Sequence, residues 1–371
     1  MLKAGNRFVS RRMALSSSRV AHNNFDSLRL VLAATVAVYH LAVLTQRPEF
    51  AWLRSPLLAD FAVKAFFVIS GFLVTQSLRN TRTLTDYGAK RLRRLLPGYV
   101  AVVLASVVLG AAITSWPLEA FVGDAQTWRY LFWNLLFLTY KAMSLPGVFD
   151  SGANVVSAVN GSLWTIKVEV GFYVALPLIL WFTRRLGIWP VVTTLYLAGV
   201  AWRYGMYELA ETNGPRFAGL ATHLPGQLAY FACGIACQMV RPSARALAVA
   251  GAAAGGVMVL GPVGHALGEP LLYAALVLGF AVHVPYLGDG SRYGDFSYGL
   301  YLVHFPVLQA MVEWGAFERA PWFAALTFAV VVASLAWLSW RFVEQPFLRR
   351  SSHAVRDRPA LSATFGSTAG V

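Results

Sequence analysis

Apolar runs long enough to cross a bilayer recur along most of this chain, separated by short polar segments that hold most of its charge. A helix needs roughly 20 predominantly apolar residues to span the hydrocarbon core. By that measure the pattern predicts ten crossing helices, over about 25–45, 59–79, 95–115, 163–183, 188–206, 222–240, 245–263, 270–287, 293–312 and 320–340. A further apolar stretch, Trp128 to Tyr140, has only thirteen residues and suits a re-entrant or interfacial segment. The expected fold is therefore all-α: a polytopic integral membrane protein of about ten transmembrane helices plus one short re-entrant or interfacial helix. Residues 24–350 form one membrane domain in this reading. Residues 1–23 and 351–371 are polar, aperiodic tails expected to be disordered and cytoplasmic.

Composition agrees. Of 371 residues, 57% are hydrophobic and only 13% charged, against roughly 25% charged in a soluble domain. The formal net charge of +14 does not point to nucleic acid, because the basic residues are dispersed between apolar runs. Cytoplasmic loops collect Lys and Arg. With ten crossings, Arg79, Arg82, Lys90, Arg91, Arg93, Arg94, Arg184, Arg185, Arg241, Arg245, Arg292 and Arg341 fall on one side. Glu49, Glu119, Asp124, Glu208, Glu211, Glu269, Glu313 and Glu318 fall on the other. Both termini are thus expected in the cytoplasm. Cys233 and Cys237 sit four apart in an apolar run and read as a buried reduced pair. No metal-binding spacing is present, and no metal site is expected.

The candidate chemistry begins in the first run, NFDSLRLVLAATVAVYHLAVLT. Arg29 and His40 are eleven residues apart, about three helical turns, so both point within ~20° of one face and lie ~16 Å apart along the axis. Ionisable groups inside a span usually face protein or a water-filled cavity and often mark function. The structural alternative has Arg29 snorkelling to the interface and His40 bonding a neighbouring helix. In the second run, Ser70–Gly71 offers a small patch for helix packing, and Lys64 sits in apolar surroundings with Asp60 one turn away as a candidate partner. In the segment YGAKRLRRLLPGY, Lys90, Arg91, Arg93 and Arg94 precede Pro97, a residue that suits the start of a helix. The group reads either as a strong topological signal or as a phosphate trap of guanidinium forks at a helix N-terminus. Glu169, in SLWTIKVEVGFY, needs a partner at its depth; Lys167, ~100° away around the helix, is not expected to supply it. In DFSYGLYLVHFPVL, Tyr298, Tyr301 and His304 share one helix side. Glu344, in RFVEQPF, reads as a local ion pair or helix-end device.

These segments, in this order, resemble the acyltransferase type 3 family of bacterial membrane O-acyltransferases, many of which modify cell-surface carbohydrates. The resemblance runs from Phe25 to about Arg350. It implies that His40 is a catalytic base with Arg29 its essential companion, and that the basic group Lys90, Arg91 and Arg94 holds an acyl-CoA donor. Ser70, Trp164, Glu169, Tyr298, His304 and Glu344 match recurring family positions. We assign Glu169 to the catalytic set and Ser70, Trp164, Tyr298 and His304 to substrate binding. Val170 and Lys64 depart from the usual pattern. The expected reaction is transfer of an acyl group, with acetyl the commonest in the family, from cytoplasmic acyl-CoA to a hydroxyl of a carbohydrate or glycolipid acceptor, in a bacterial inner membrane. Glu169 or His304 would orient His40. The competing class is a transporter or flippase of a glycolipid or small anion, using the same charges without making bonds.

Overall fold

The computed structural model describes residues 23–288 and 294–348; the two expected tails fall outside them, apart from Asn23. Among the described residues the structure is helical, with no strand. Six stretches are long and apolar enough to cross a membrane: Phe25–Thr45, Pro56–Arg79, Leu84–Ile113, Gly161–Leu186, Pro262–His283 and Pro321–Leu348. Helices also cover the other four predicted runs, at Ile188–Asn213, Leu224–Val240, Ala244–Met258 and Ser297–Glu313. The chain is a multi-pass membrane protein.

The first helix, α1 (Phe25–Thr45), is anchored at its start by a long-range contact. Buried Asn24 donates through Nδ2 to the carbonyls of Val284 (3.2 Å) and Pro285 (3.3 Å) and accepts from the Leu287 amide (2.9 Å). A fully buried amide needs such partners, and here they lie about 260 residues away in sequence. α2 (Pro56–Arg79) follows. α3 (Leu84–Ile113) corrects a sequence expectation: Pro97 lies inside it and does not open it. The helix starts at a Thr83 cap, whose hydroxyl accepts from the Asp86 amide, in a T-x-x-D arrangement close to the capping box. A proline removes one backbone bond, but the ring of favourable formers around it, KRLRRLL, carries the helix through. Lys90, Arg91 and Arg94 therefore project from the body of α3 and not from its N-terminus.

After a six-residue helix, α4 (Leu118–Gly123), the short apolar stretch appears as α5 (Ala125–Leu135), capped by Asp124. Eleven residues rise ~16 Å, too little to cross. A long loop then runs to α6 (Trp164–Leu186). Its backbone is bonded by side-chain amides: Gln309 Nε2 donates to the Val156 (2.7 Å) and Ala158 (2.9 Å) carbonyls. Asn160 donates to the Leu302 carbonyl (2.9 Å).

α7 (Ile188–Asn213), α8 (Arg216–Ala221), α9 (Leu224–Val240), α10 (Ala244–Met258) and α11 (Pro262–Leu278) complete one side. α9 crosses α2 at very short range. A Cβ on Gly71 would stand 2.3 Å from the Phe231 carbonyl oxygen, and one on Gly234 2.2 Å from that of Val68. Ser70–Gly71 is thus a packing patch, as the small-residue reading expected. Cys233 is buried, Cys237 half-buried, and both are free. They line an apolar cleft of about 400 Å³ with Tyr196 and Leu247.

Glu269 corrects a second expectation. Placed in an outer loop from sequence, it is buried within α11. It accepts from Lys64 Nζ (2.8 Å) through Oε1, and from Arg203 and the Tyr230 hydroxyl (2.7 Å) through Oε2. Lys64 also pairs with Asp60, the expected partner. The network joins α2, α7, α9 and α11 at a depth where an isolated charge is costly. α12 (Ser297–Glu313) packs on α1, and α13 (Pro321–Leu338) packs on α12 and runs on into a π-helical turn, Ser339–Glu344.

Candidate active site

Five helices enclose a cavity of about 140 Å³. Its polar lining includes Arg29 from α1, Ser70 from α2, Arg91 and Arg94 from α3, and Thr165, Glu169 and Tyr173 from α6. Ser297, Tyr298 and Tyr301 come from α12. Apolar side chains of α2 fill much of the rest, among them Phe66, Phe67 and Ile69.

The basic end is organised by a residue that sequence reading passed over. Asp295, just before α12, accepts from Arg29 Nη2 (2.8 Å) and Arg94 Nη2 (2.5 Å), and from the Ser297 hydroxyl (2.7 Å). Arg29 also pairs with Asp26 at 2.6 Å. One carboxylate therefore gathers two arginines that lie 65 residues apart in sequence. The hint was in the sequence: an acid two residues ahead of the aromatic, His-bearing helix, in a chain poor in acids. Arg94 stacks near the Tyr298 and Trp340 rings, both 5.9 Å from its guanidinium carbon. Its Nη1 lies 3.9 Å from Glu344, which is fully buried and bonded by Ser339. Arg91 donates to Ser77 (3.0 Å) and lies over Tyr173.

The predicted residues divide. Arg29, Ser70, Arg91, Arg94, Glu169 and Tyr298 all line the cavity. Ser70 Oγ is buried with no hydrogen-bond partner, a free polar atom beside the lumen. Tyr298 donates to the Leu95 carbonyl at 2.9 Å. Glu169 is bonded by the Tyr173 hydroxyl and not by Lys167, which turns to His223 (3.2 Å) and Tyr140. Lys90 donates to Thr81 (3.2 Å) and does not line the cavity. Trp164 is half-buried against the main core and is also outside the lining.

His40 and His304 are not among the lining residues either. They meet each other: His40 Nδ1 lies 2.9 Å from His304 Nε2, with the rings inclined by 17°. The pair sits next to the cavity wall at Tyr301. That ring is 5.7 Å from His304, and its hydroxyl is tied to Thr165 Oγ1 at 2.9 Å. Along α12, Tyr298, Tyr301 and His304 follow in steps of three, ~9 Å of helix rise from the first to the last, with Asp295 just ahead of the helix. One side of a single helix and its leading residue thus connect the basic end, the lumen and the histidine pair. His40 is half-buried, whereas His304 is fully buried.

Residues 22–340 match the family described as an acyltransferase domain. The chain belongs to this family. This acyltransferase is 27% identical to nodulation protein 10 of Rhizobium leguminosarum bv. viciae, over 91% of its own length and 96% of the relative's. It is 28% identical to an O-acetyl transferase of Shigella phage Sf6, over 89% and 97%. Against the peptidoglycan O-acetyltransferase OatA of Listeria monocytogenes the figure is 22%, covering 87% of this chain and 55% of the relative. No solved structure matches. The acyltransferase is therefore an enzyme that transfers acyl groups, and the transporter alternative gives way to bond-making chemistry.

Proposed function

We propose that this acyltransferase is a membrane O-acyltransferase that moves an acyl group, acetyl in the simplest case, from cytoplasmic acyl-CoA to a hydroxyl of an exported or cell-surface carbohydrate. The observation that carries the reading is the five-helix cavity, with arginines gathered at one end and the histidine pair against the wall at the other. The names of the relatives support an oxygen acceptor and acetyl as donor group.

Guanidinium groups grip phosphate oxygens through paired N–H donors, so Arg91 and Arg94, with Lys90 at the approach, hold the donor's phosphates. The apolar walls beyond them, around Phe66 and Ile69, take the pantetheine arm and bring the thioester toward Tyr301. The acceptor hydroxyl enters from the outer side. In direct transfer, His40 Nε2 takes the hydroxyl proton as the oxygen attacks the thioester carbonyl. The C–O bond forms, the C–S bond breaks, and the thiolate leaves and is protonated by the imidazolium. A neutral imidazole offers the nitrogen lone pair that such a base needs. Ten crossings with both termini in the cytoplasm of an inner membrane put the arginines on the donor's side, in line with the loop charges.

General-base catalysis is worth about a hundred- to ten-thousandfold. Membranes holding His40→Ala and supplied with radiolabelled acetyl-CoA should therefore incorporate no alkali-labile label into envelope glycans, while wild-type membranes do. Arg91→Ala and Arg94→Ala should raise the acetyl-CoA concentration needed for half-maximal rate. Near-normal labelling by an inserted His40→Ala protein would end the base assignment.

A further inference from the structure

We propose that His304 is a positioning residue that fixes His40 in the tautomer whose Nε2 is a bare acceptor. The inference rests on the reading of His40 as the base and adds what prepares it.

The argument is one of donors and acceptors. A backbone carbonyl only accepts. His304 Nδ1 lies 3.2 Å from the Leu300 carbonyl oxygen, so in a neutral ring that nitrogen carries the proton. His304 Nε2 is then a lone pair. It faces His40 Nδ1 at 2.9 Å, so Nδ1 of His40 must be the donor. The remaining nitrogen, His40 Nε2, is left unprotonated. The Leu300 carbonyl thus dictates, through two rings, which atom of His40 can receive a proton. Once His40 has taken one, its Nδ1–H still has His304 to donate to. The other candidate for the orienting role, Glu169, is bonded by Tyr173, whereas His40 Nδ1 meets His304. Nor is Tyr301 free to replace His304, because its hydroxyl bonds Thr165 and faces the Ser162 carbonyl. His304 itself is wholly buried behind Tyr301 and Phe305, so it acts through His40 and not on the acceptor. Of the two roles that the resemblance left to His304, this assignment takes the orienting one over substrate binding.

In a serine protease, exchanging the orienting group so that the wrong tautomer is favoured costs about ten-thousandfold in kcat. A released His40 samples both tautomers, so the loss here should be smaller, roughly ten- to a hundredfold. The test uses the full-length protein in lipid, with His304→Met, His304→Gln and His40→Ala as variants. Glutamine can offer its Oε1 to His40 Nδ1; methionine cannot. His304→Met should lower kcat with little change in KM for acetyl-CoA, and His304→Gln should recover most of the loss. Nitrogen-15 spectra of histidine-labelled protein should place the His40 proton on Nδ1 in wild type and in His304→Gln, and move it toward Nε2 in His304→Met. Equal rates for the Met and Gln variants, or a His40 proton unmoved by His304→Met, would overturn the inference. If His40→Ala is inactive in the same membranes, that failure leaves the base assignment standing; if His40→Ala is active, both fall.

Discussion

Glu269 has two cations to satisfy, Lys64 and Arg203. Its carboxylate holds Lys64 and Arg203 together, with Tyr230 as a third donor, and only Lys64 has a second carboxylate, Asp60, beside it among the described residues. Removing one partner of a buried pair typically costs about 3–5 kcal/mol, because the other charge is left uncompensated. Glu269→Gln should therefore lower thermal stability in detergent far more than Asp60→Asn, whose side chain is 43% exposed. Replacing Lys64, Arg203 and Glu269 together by apolar residues of similar size should recover much of the loss, measured as the unfolding midpoint. Asp295 makes a related prediction at the basic end. It receives charge-assisted bonds from Arg29 and Arg94, each worth about 1.5–3 kcal/mol in favourable cases and less here because the arginines are partly solvated. Asp295→Ala should loosen both arginines and lower donor affinity, seen as a higher KM for acetyl-CoA. Neither acid stood out in the sequence. A carboxylate is visible there, but its partners come from helices up to 266 residues away, and no periodicity encodes that meeting. Arg29 and His40, by contrast, share one helix, and their common face followed from spacing alone.

At the level of elements, the spacing between α2 and α9 is set by two glycines. Any Cβ at Gly71 or Gly234 would overlap a backbone carbonyl, and backbone cannot yield as a flexible side chain does. Gly71→Ala or Gly234→Ala should reduce the yield of folded protein in membranes. Gly88→Ala, in α3 with open space around it, should be neutral or stabilising by roughly 0.5–1 kcal/mol. Fluorescence-detected size exclusion after heating would rank the three. Helix positions were largely legible: each of the ten apolar runs coincides with a helix. The start of α3 was not. Pro97 looked like an opening residue, but the Thr83–Asp86 cap lies fourteen residues earlier, in a segment too polar to register as part of a span. That difference matters for the chemistry. It separates the basic group from the amides of α3's own N-terminus, so the proposed phosphate contacts fall chiefly to the arginine side chains.

For the whole molecule, the orientation proposed from the loop charges can be measured directly. Single cysteines introduced on a background with Cys233 and Cys237 replaced by alanine should react with a membrane-impermeant maleimide in intact cells at Ser151 and Asn213. At Arg82 and Arg184 they should react only after permeabilisation. Reaction of Arg184→Cys from outside would remove one crossing from the count. The all-helical, multi-pass plan could be read from hydropathy because lipid leaves so few options for the backbone. What hydropathy could not supply was the arrangement of helices around the lumen, since every helix is apolar on most sides and its neighbours are chosen by a few polar atoms and small residues.

Asn24 shows what that arrangement demands of biogenesis. The first helix leaves the ribosome with an amide, a guanidinium and an imidazole whose partners, near 284–287, at Asp295 and at His304, are translated last. Until then these groups wait in the bilayer without their final contacts. The nascent chain must therefore be kept from settling early, and chains cut short before α12 should be cleared by membrane proteases instead of accumulating.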